Sequence, residues 1–331
     1  MTVQIPTKTA IYKAAKAEGL SKALIKSMLP RWWDDSLLET SSGFAQFVFF
    51  LKSRFGLKFV HSELSAVEFH HTKLQREFKV RTGVDESRLV AASLQLGAYA
   101  RTLVKAYDYN VRPQNIDYLR EKLFENISLT LEGTLELCRD ANLPVLFVST
   151  IASGAPRPAG AVFKFGERFA IVLSHRHKIP SIQLFILLHE IGHALLGHMY
   201  EKESITDFSI LRLAETLRDE ADAQEDEADL FALRALRGHI PLDKIISSMP
   251  VPKSSAELAV FAQKVSKEYG ISAGHVVLSY GKEYADWRVA QTAIKFLESP
   301  NALEILEQHN QVQLDLLRLK QDDEDLLSRV L

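Results

Sequence analysis

The feature that constrains the fold most is the apolar run SIQLFILLHEIGHALLGH, residues 181–198. Its helical length and apolar character predict a helix set into the interior of the protein. His189, Glu190 and His193 stand within this run. Burying two imidazoles and a carboxylate among leucines costs free energy unless partners offset the cost. We therefore expect a specific polar site on this helix.

The three polar residues form the pattern H-E-x-x-H. Each residue of an α-helix turns by about 100°, so His189 and His193 lie on one face, about 40° apart. Two imidazoles one turn apart can share a zinc ion, and Glu190 can act as general base toward a water on that zinc. A pair of core histidines with ordinary hydrogen-bond partners is the alternative interpretation of the pattern.

A catalytic zinc needs a third protein ligand, and the later acidic segment E-D-E-A-D-L-F-A supplies candidates. Glu225 and Asp229 share one helical face, so Glu225 could bind the metal while Asp229 orients a ligand histidine. Glu227 is the competing ligand, and a solvated charged face is a third interpretation. His198 would point away from His189 on a continuous helix. We interpret it as a supporting residue at the helix end.

Two strand candidates precede the motif helix, and the Gly166–Glu167 joint between them predicts a hairpin. The second strand, residues 169–174, could bind an extended substrate by strand addition. A hairpin without an open edge is the alternative. His175, Arg176 and His177 follow, and they either stabilise a developing oxyanion or form a turn that faces water.

Composition is that of an ordinary globular protein, with 47% hydrophobic and 25% charged residues among 331. The formal net charge of −2 excludes a general electrostatic attraction to nucleic acid or to an anionic membrane. Cys138 is the single cysteine, which fits a reducing compartment. The start of the sequence lacks a signal-peptide pattern, and no apolar run reaches the ~20 residues of a membrane span. We expect a cytoplasmic protein that does not enter a membrane.

The remaining patterns predict an α+β fold that is predominantly helical, with a small β-sheet beside the motif helix. We expect four regions. They are a helical N-terminal region (1–80), a helical connector (81–130), the core that carries the motif (131–245) and a C-terminal helical region (246–331). Strand-forming residues begin at Leu143, and M-P-V-P-K marks the linker after the core.

The N-terminal region contains a loose helix-turn-helix pattern. Ala15, Gly19 and Ile25 have the spacing of this motif in a basic segment, which would place a recognition helix near Ser21–Met28. An ordinary helical hairpin or a substrate-docking unit is the alternative. We interpret the Trp32–Trp33 pair as a core or interface element rather than a platform for stacked bases.

Several blocks, in order over roughly residues 130–280, resemble the ImmA/IrrE family of metallo-endopeptidases. The motif run resembles the family's H-E-x-x-H-x-x-x-x-H pattern, E-D-E-A-D-L-F-A its E-x-x-A-[ND]-x-F-A segment, and F-A-Q-K-V-S-K-E-Y-G-I-S its trailing segment. The resemblance implies a zincin-like core, zinc held by His189, His193 and Glu225, and Glu190 as base. Mn²⁺ or Fe²⁺ also suits a site of two histidines and a carboxylate.

The same resemblance implies what the protein acts on. Members of the family typically cleave a regulatory protein, often a repressor, and so switch on phage, mobile-element or stress genes. We therefore expect a zinc endopeptidase whose partner is such a regulator. The alternative is a transcriptional regulator or antitoxin-like binding protein with a non-catalytic metal site, in which residues 1–60 bind DNA or a partner.

Overall fold

In the computed structural model, the chain folds around a five-stranded mixed sheet that has helices on both faces. The structure describes residues 6–61, 67–71, 75–79, 86–107, 111–125, 128–151, 157–207, 223–247, 252–317 and 319–330. Within these ranges, no helix combines the length and the apolar character that crossing a bilayer requires.

The described α-helices surround the sheet, and a short 3₁₀ helix (Asp35–Glu39) lies between the second and third of them. The helices are α1 (Lys8–Ala17), α2 (Lys22–Met28), α3 (Ser41–Phe55), α4 (Glu86–Ala106), α5 (Ile116–Glu125), α6 (Leu131–Asp140), α7 (Pro180–Leu195), α8 (Ala223–Arg237), α9 (Leu242–Ser247), α10 (Ser255–Tyr269), α11 (Ala273–Glu283), α12 (Trp287–Ile294), α13 (Ala302–Leu316) and α14 (Gln321–Leu327).

The strands form two sheets. They are β1 (Leu57–His61), β2 (Val67–His71), β3 (Gln75–Lys79), β4 (Val145–Phe147), β5 (Gly160–Phe165), β6 (Arg168–Leu173) and β7 (Lys202–Asp207). β1 and β2 pair as an antiparallel hairpin. The main sheet has the order β3-β7-β5-β6-β4, in which β5 is antiparallel to both β6 and β7, while β3–β7 and β4–β6 are parallel pairs.

The two faces of the main sheet contribute to two different cores, because successive side chains of a strand point to opposite faces. Val162 and Ile171 pack into the core that contains residues of α5 to α13. Ala161, Phe163 and Val172 pack into the core formed with α1 to α4. The motif helix therefore has the sheet on one side and other helices around the rest of its surface.

The predicted helices of the N-terminal region are present from Lys8 to Phe55, but the chain then forms strands. Gly56 ends α3 with a left-handed backbone (φ 72°) and lets the chain turn into β1. The aromatic and β-branched residues Phe59 and Val60 in L-K-F-V-H favour a strand, and the helical prediction did not take them into account. The prediction of a helical region over residues 1–80 is therefore corrected beyond Phe55, and β3 even joins the main sheet.

Helix α13 closes the outer edge of β4. The Asn310 side chain accepts a hydrogen bond from Phe147 N (2.9 Å) and donates one to Phe147 O (2.7 Å). Gln313 makes the same pair of bonds with Val145, accepting from its N (3.3 Å) and donating to its O (2.9 Å). Two side-chain amides thus take the place of a neighbouring strand.

Residues of the C-terminal segment form hydrogen bonds and an ion pair with the N-terminal helices and the loops between them. Arg54 of α3 is buried and contacts Asp323 of α14 at 2.6 Å, and the side chain of Arg329 donates to the carbonyl oxygen of Leu29. Trp33 is half-buried against the rings of this region, as the sequence predicts. Trp32 differs, because it is 53% exposed and its indole N–H donates to Asp322.

Candidate metal centre

The motif helix α7 is buried along almost its whole length and is held at both ends by distant residues. Pro180 occupies its first turn, where the missing N–H costs nothing. The Glu298 carboxylate accepts hydrogen bonds from the backbone N (2.9 Å) and the hydroxyl of Ser181. At the other end, Arg120 donates to the carbonyl oxygen of Leu195 at 2.6 Å, which suits the negative end of a helix.

Three donor atoms converge between α7 and α8. The Nε2 atoms of His189 and His193 lie 3.0 Å apart, and each lies 3.3 Å from an oxygen of Glu225. A tetrahedral zinc with ligands at about 2.0–2.1 Å separates its donors by about 3.3–3.4 Å. The distances from His189 Nε2 to Glu225 Oε2 and from His193 Nε2 to Glu225 Oε1 match those separations, and the 3.0 Å between the two nitrogens is slightly shorter. The residues of this donor triangle therefore fit a divalent cation.

The hydrogen bonds around the triangle leave both Nε2 atoms available to a cation. His189 Nδ1 contacts Asp229 Oδ1 at 2.9 Å, which makes Nδ1 the protonated nitrogen. His193 Nδ1 contacts His198 Nδ1 at 2.9 Å, and His198 Nε2 contacts Glu227 Oε2 at 2.9 Å. When His198 donates to Glu227, its Nδ1 accepts from His193. Both ligand histidines then direct an Nε2 lone pair toward the same point.

The charges in the site also favour a cation. Burial opposes ionisation of Glu225, but its hydrogen bonds with the two histidines lower its pKa below the usual value. Burial alone would lower the pKa of His189, yet contacts with Asp229 and Glu225 raise it well above 6.5. Burial lowers the pKa of His193. The site therefore stabilises one positive charge among these donors.

Glu190 lies fully buried beside the triangle. Among the described residues, neither of its carboxylate oxygens has a hydrogen-bond partner. Burial raises its pKa well above the usual value, and the charges of Asp207 and Glu225 raise it further against the effect of His189. Burying a carboxyl group without hydrogen-bond partners costs free energy, and such a group is a sign of a functional site.

Gly192, one residue before His193, allows α7 and α8 to approach closely. A Cβ at this position would lie 3.2 Å from the Phe231 ring and 3.3 Å from Ala228 Cα. The glycine of H-E-I-G-H and the apolar stripe of α8 therefore fit together, and this contact sets the depth at which Glu225 meets the histidines.

The structure separates the two glutamates that the sequence left as competing ligands. Glu225 faces His189 and His193, whereas Glu227 points to His198 and is 62% exposed. Helix α7 ends at Leu195, and Gly197 has a left-handed backbone (φ 81°), so the chain folds back. This turn brings His198 onto His193, as a supporting residue at the helix end. The sequence predicts that the acidic segment belongs to a longer helix, from about Leu211 to Arg237, and residues 211–222 of it lie outside the described residues.

One expectation about the hairpin is wrong. The hairpin itself is present, but β6 pairs with β5 on one side and with β4 on the other, as in Leu146 opposite Val172. Its backbone groups are therefore engaged, and strand addition at residues 169–174 is excluded in this state. The alternative, a hairpin without an open edge there, is correct.

The loop before α7 is tied to the helix rather than loosely solvated. The Gln183 amide donates to the carbonyl oxygens of His175 (2.6 Å) and His177 (2.9 Å), while Arg176 is exposed. Burial lowers the pKa of His177 to about 4. An oxyanion-stabilising role for His175, Arg176 or His177 stays a prediction.

Three residues of the site were not found from the sequence. Gly160 begins β5 and lies against Glu190. Asp207 ends β7, is buried, and has Oδ2 3.6 Å from His189 Nε2. Lys282 of α11 contacts Asp229 Oδ2 at 2.5 Å. These residues are remote from the motif in sequence, and only the fold brings them to it.

The comparisons with known proteins agree with this geometry. Residues 150–278 match the family model of the IrrE N-terminal-like domain, Peptidase_M78. The matched segment contains the hairpin, the motif helix and α8. The match confirms the resemblance to the ImmA/IrrE metallopeptidases, and with it the predominantly helical, zincin-like α+β fold. A search of curated proteins found no match.

Proposed function

We propose that the protein is a zinc-dependent endopeptidase that hydrolyses a peptide bond in a regulatory protein, with a repressor as the first substrate to test. The observation that carries this proposal is the triangle of His189, His193 and Glu225, whose nitrogen–nitrogen and nitrogen–oxygen contacts of 3.0–3.3 Å are close to the separations that tetrahedral zinc requires. The matched segment supports metallopeptidase chemistry. The regulatory substrate is inferred from the family resemblance.

The residues divide the chemistry between them. Zinc held by His189, His193 and Glu225 would lower the pKa of a water molecule and polarise the scissile carbonyl. Glu190 is the group placed to take a proton from that water and to deliver it to the leaving amine. Its burial and its two oxygens without hydrogen-bond partners among the described residues support this role.

The test separates metal binding from proton transfer. We expect purified protein to bind about one zinc per chain. Mixed with candidate regulators, or with a randomised peptide library read by mass spectrometry, it should release fragments with defined new termini. Glu190→Gln should bind the same amount of zinc and cleave about 10²- to 10⁴-fold more slowly. Undiminished cleavage by this variant would refute the mechanism.

The exposed glutamate Glu307 on α13 gives a matched control. Glu307→Gln makes the same chemical change far from the donor triangle, so zinc content and cleavage should both stay at the wild-type level. A protein that binds zinc but cleaves no candidate and no library peptide would contradict the endopeptidase proposal, while leaving the metal site intact.

A second candidate function, DNA binding by α1 and α2, is supported by one observation. Ala15, Leu20 and Ile25 are fully buried, and Gly19 between the helices has a left-handed backbone (φ 84°). A helix-turn-helix requires these features at these positions. Against this function, α2 has only 7 residues, and Asp35 lies 3.1–3.5 Å from the basic groups of Lys22 and Lys26.

The salt dependence of the affinity for a DNA duplex tests this second function. A regulator should bind one duplex sequence with an affinity that falls steeply between about 50 and 200 mM salt, because phosphate contacts release counterions. Reversing the charge of Lys22 (Lys22→Glu) should then weaken binding and reduce the salt slope. Zinc-free protein that still binds a duplex in this manner would favour the regulator over the peptidase.

A further inference from the structure

We propose that Lys282 is a positioning residue that holds the Asp229 carboxylate on His189 and thereby sets the affinity of the site for zinc. Lys282 lies just beyond the segment that matches the peptidase family. The inference deepens the proposed function and rests on it, because it concerns zinc held by the same ligands.

A continuous line of contacts connects the lysine to the metal position. Lys282 Nζ lies 2.5 Å from Asp229 Oδ2, and Asp229 Oδ1 lies 2.9 Å from His189 Nδ1. The opposite ring nitrogen, His189 Nε2, belongs to the donor triangle. Each carboxylate oxygen of Asp229 therefore has one of these partners, because Oδ2 contacts Lys282 and Oδ1 contacts His189.

The lysine is needed because the carboxylate is largely buried. The Asp229 side chain is only 19% exposed, so removing its ammonium partner leaves a largely buried carboxylate oxygen without a charged partner. A carboxylate without that partner would turn toward solvent or toward another donor, and its bond to His189 would lengthen. Partners of this kind fix the orientation of a ligand histidine and raise its basicity, and their loss weakens metal binding.

The position of Lys282 is itself well fixed. Helix α11 lies against α8, and the two are also joined where His275 Nδ1 contacts the Leu236 carbonyl oxygen at 3.0 Å. On its other side, α11 packs tightly at Gly281, where a Cβ would lie 2.7 Å from the Trp287 ring. A lysine held on a packed helix can hold its partner, whereas one on a loose surface helix loses entropy to do so.

Asp226 offers an internal comparison. It also contacts Lys282, at 3.5 Å, but its side chain is 42% exposed and is absent from the donor triangle. If Lys282 acts through Asp229, removing the charge of Asp226 should change zinc affinity by less than about twofold. If the lysine acted only through its positive charge, removing it would reduce the repulsion of the cation and strengthen zinc binding, and removing the charge of Asp226 would weaken zinc binding.

The experiment is a double-mutant cycle on the affinity for zinc alone, measured by competition with a chromogenic chelator at fixed pH. We expect Lys282→Met to weaken zinc binding about 10-fold, at the low end of what the loss of such partners costs. In an Asp229→Asn background the same change should weaken binding by less than about twofold, because its target is gone. Lys282→Arg, which keeps the charge, should restore most of the lost affinity.

Two controls keep a folding defect separate from a positioning effect. Lys264→Met removes an exposed lysine from α10 and should leave zinc affinity unchanged. The zinc-free variants are compared by thermal unfolding, and Lys282→Arg covers the case in which Lys282→Met folds poorly.

The outcomes separate the two proposals. A Lys282→Met protein that binds zinc like the wild type overturns the role of the lysine, and so does an equal effect in the Asp229→Asn background. In both cases the wild-type protein still binds zinc and the proposed function stands. A wild-type protein that binds no zinc overturns both.

Discussion

Gly160 leaves the space that the Glu190 carboxylate occupies. A Cβ at position 160 would lie 2.5 Å from Glu190 Oε1 and 2.8 Å from its Cγ, closer than atoms of a folded protein approach. The first residue of β5 is therefore part of the site by virtue of having no side chain. A turn of helix α7 and the start of a strand thus share one small volume.

Gly160→Ala should inactivate the enzyme without removing its metal. The added methyl group must push the Glu190 side chain away, and a misplaced general base costs about 10²- to 10⁴-fold in rate. The three atoms nearest the new methyl group all belong to Glu190, so zinc content should be unchanged. Cleavage assays and metal analysis on the same preparation test this.

Gly166→Ala is the control for that substitution. Gly166 joins β5 and β6, and a Cβ there would meet no atom within 4 Å, although its left-handed backbone adds strain. This variant should lose some stability and keep its cleavage rate per folded molecule. Equal losses of activity in the two variants would show that the effect at Gly160 is one of folding.

Zinc should stabilise the fold, because the proposed ligands His189, His193 and Glu225 come from two different helices. At a free zinc concentration of about 100 times Kd, binding adds about 2.7 kcal/mol to the free energy of unfolding, and chelation should remove it. Thermal unfolding with zinc and with chelator measures the stability that zinc adds.

His193→Ala should abolish this zinc-dependent stability, while Glu227→Gln, which removes no proposed ligand, should keep most of it. A zinc-induced rise in His193→Ala as large as in the wild type would contradict the ligand assignment.

The stability of the protein should fall as the pH drops from about 6.5 to 4, in part because of His309. Burial, with the nearby Arg139, lowers the pKa of this histidine to about 4. Its Nδ1 accepts from Arg139 (2.9 Å) and its Nε2–H donates to Val145 O (3.0 Å), so the neutral ring fits and the charged ring does not. Between these pH values the unfolded chain binds the extra proton and the folded protein does not.

The contribution of His309 is therefore complete above pH 6.5 and is lost as the pH approaches 4, with an upper value of about 3 kcal/mol. Urea unfolding across this range should show a shallower pH dependence for His309→Gln than for the wild type. His239→Gln, at an exposed position, should leave the dependence unchanged. Identical curves for wild type and His309→Gln would be evidence against this account.

Removing the Asn310 side chain should destabilise the fold by about 2–4 kcal/mol. Asn310→Ala leaves both the N–H and the carbonyl of buried Phe147 without their partners, and each unsatisfied buried group costs about 1–3 kcal/mol. Urea unfolding provides the measurement. Gln311→Ala, the exposed neighbour on the same helix, should change the free energy of unfolding by less than about 0.5 kcal/mol. A comparable loss in both variants would refute the pairing argument.

Short-range sequence patterns correctly predicted the hairpin, the motif helix and the common face of its two histidines. The hairpin follows from the Gly166 joint, and α7 from an apolar run that begins at Pro180. The shared face of His189 and His193 follows from helical geometry alone. Glu225 was favoured over Glu227 by its face of α8, and the structure places its carboxylate on the two rings.

Long-range pairing explains what the sequence did not predict. The possible strand addition at β6 is excluded because β4 already pairs with that side of β6. The order of strands in a sheet depends on which distant segments pair. Lys282 reaches Asp229 across the α8–α11 contact, and Asn310 reaches Phe147 of β4 across 163 residues of the chain. No periodicity in a short window contains such information.

The hydrogen bonds between the side-chain amides of α13 and the backbone of β4 also determine which fragments of the protein can be expressed alone. A fragment limited to residues 150–278 would lack both α13 and the strand it covers, and α7 would lose the Glu298 cap. The core that packs against β4 would face water, and β6 would present an uncovered row of backbone groups. Such a fragment would offer a template on which copies of itself could stack. Strand β4, which covers β6, and helix α13, which covers β4, therefore protect the edge of the sheet against self-association.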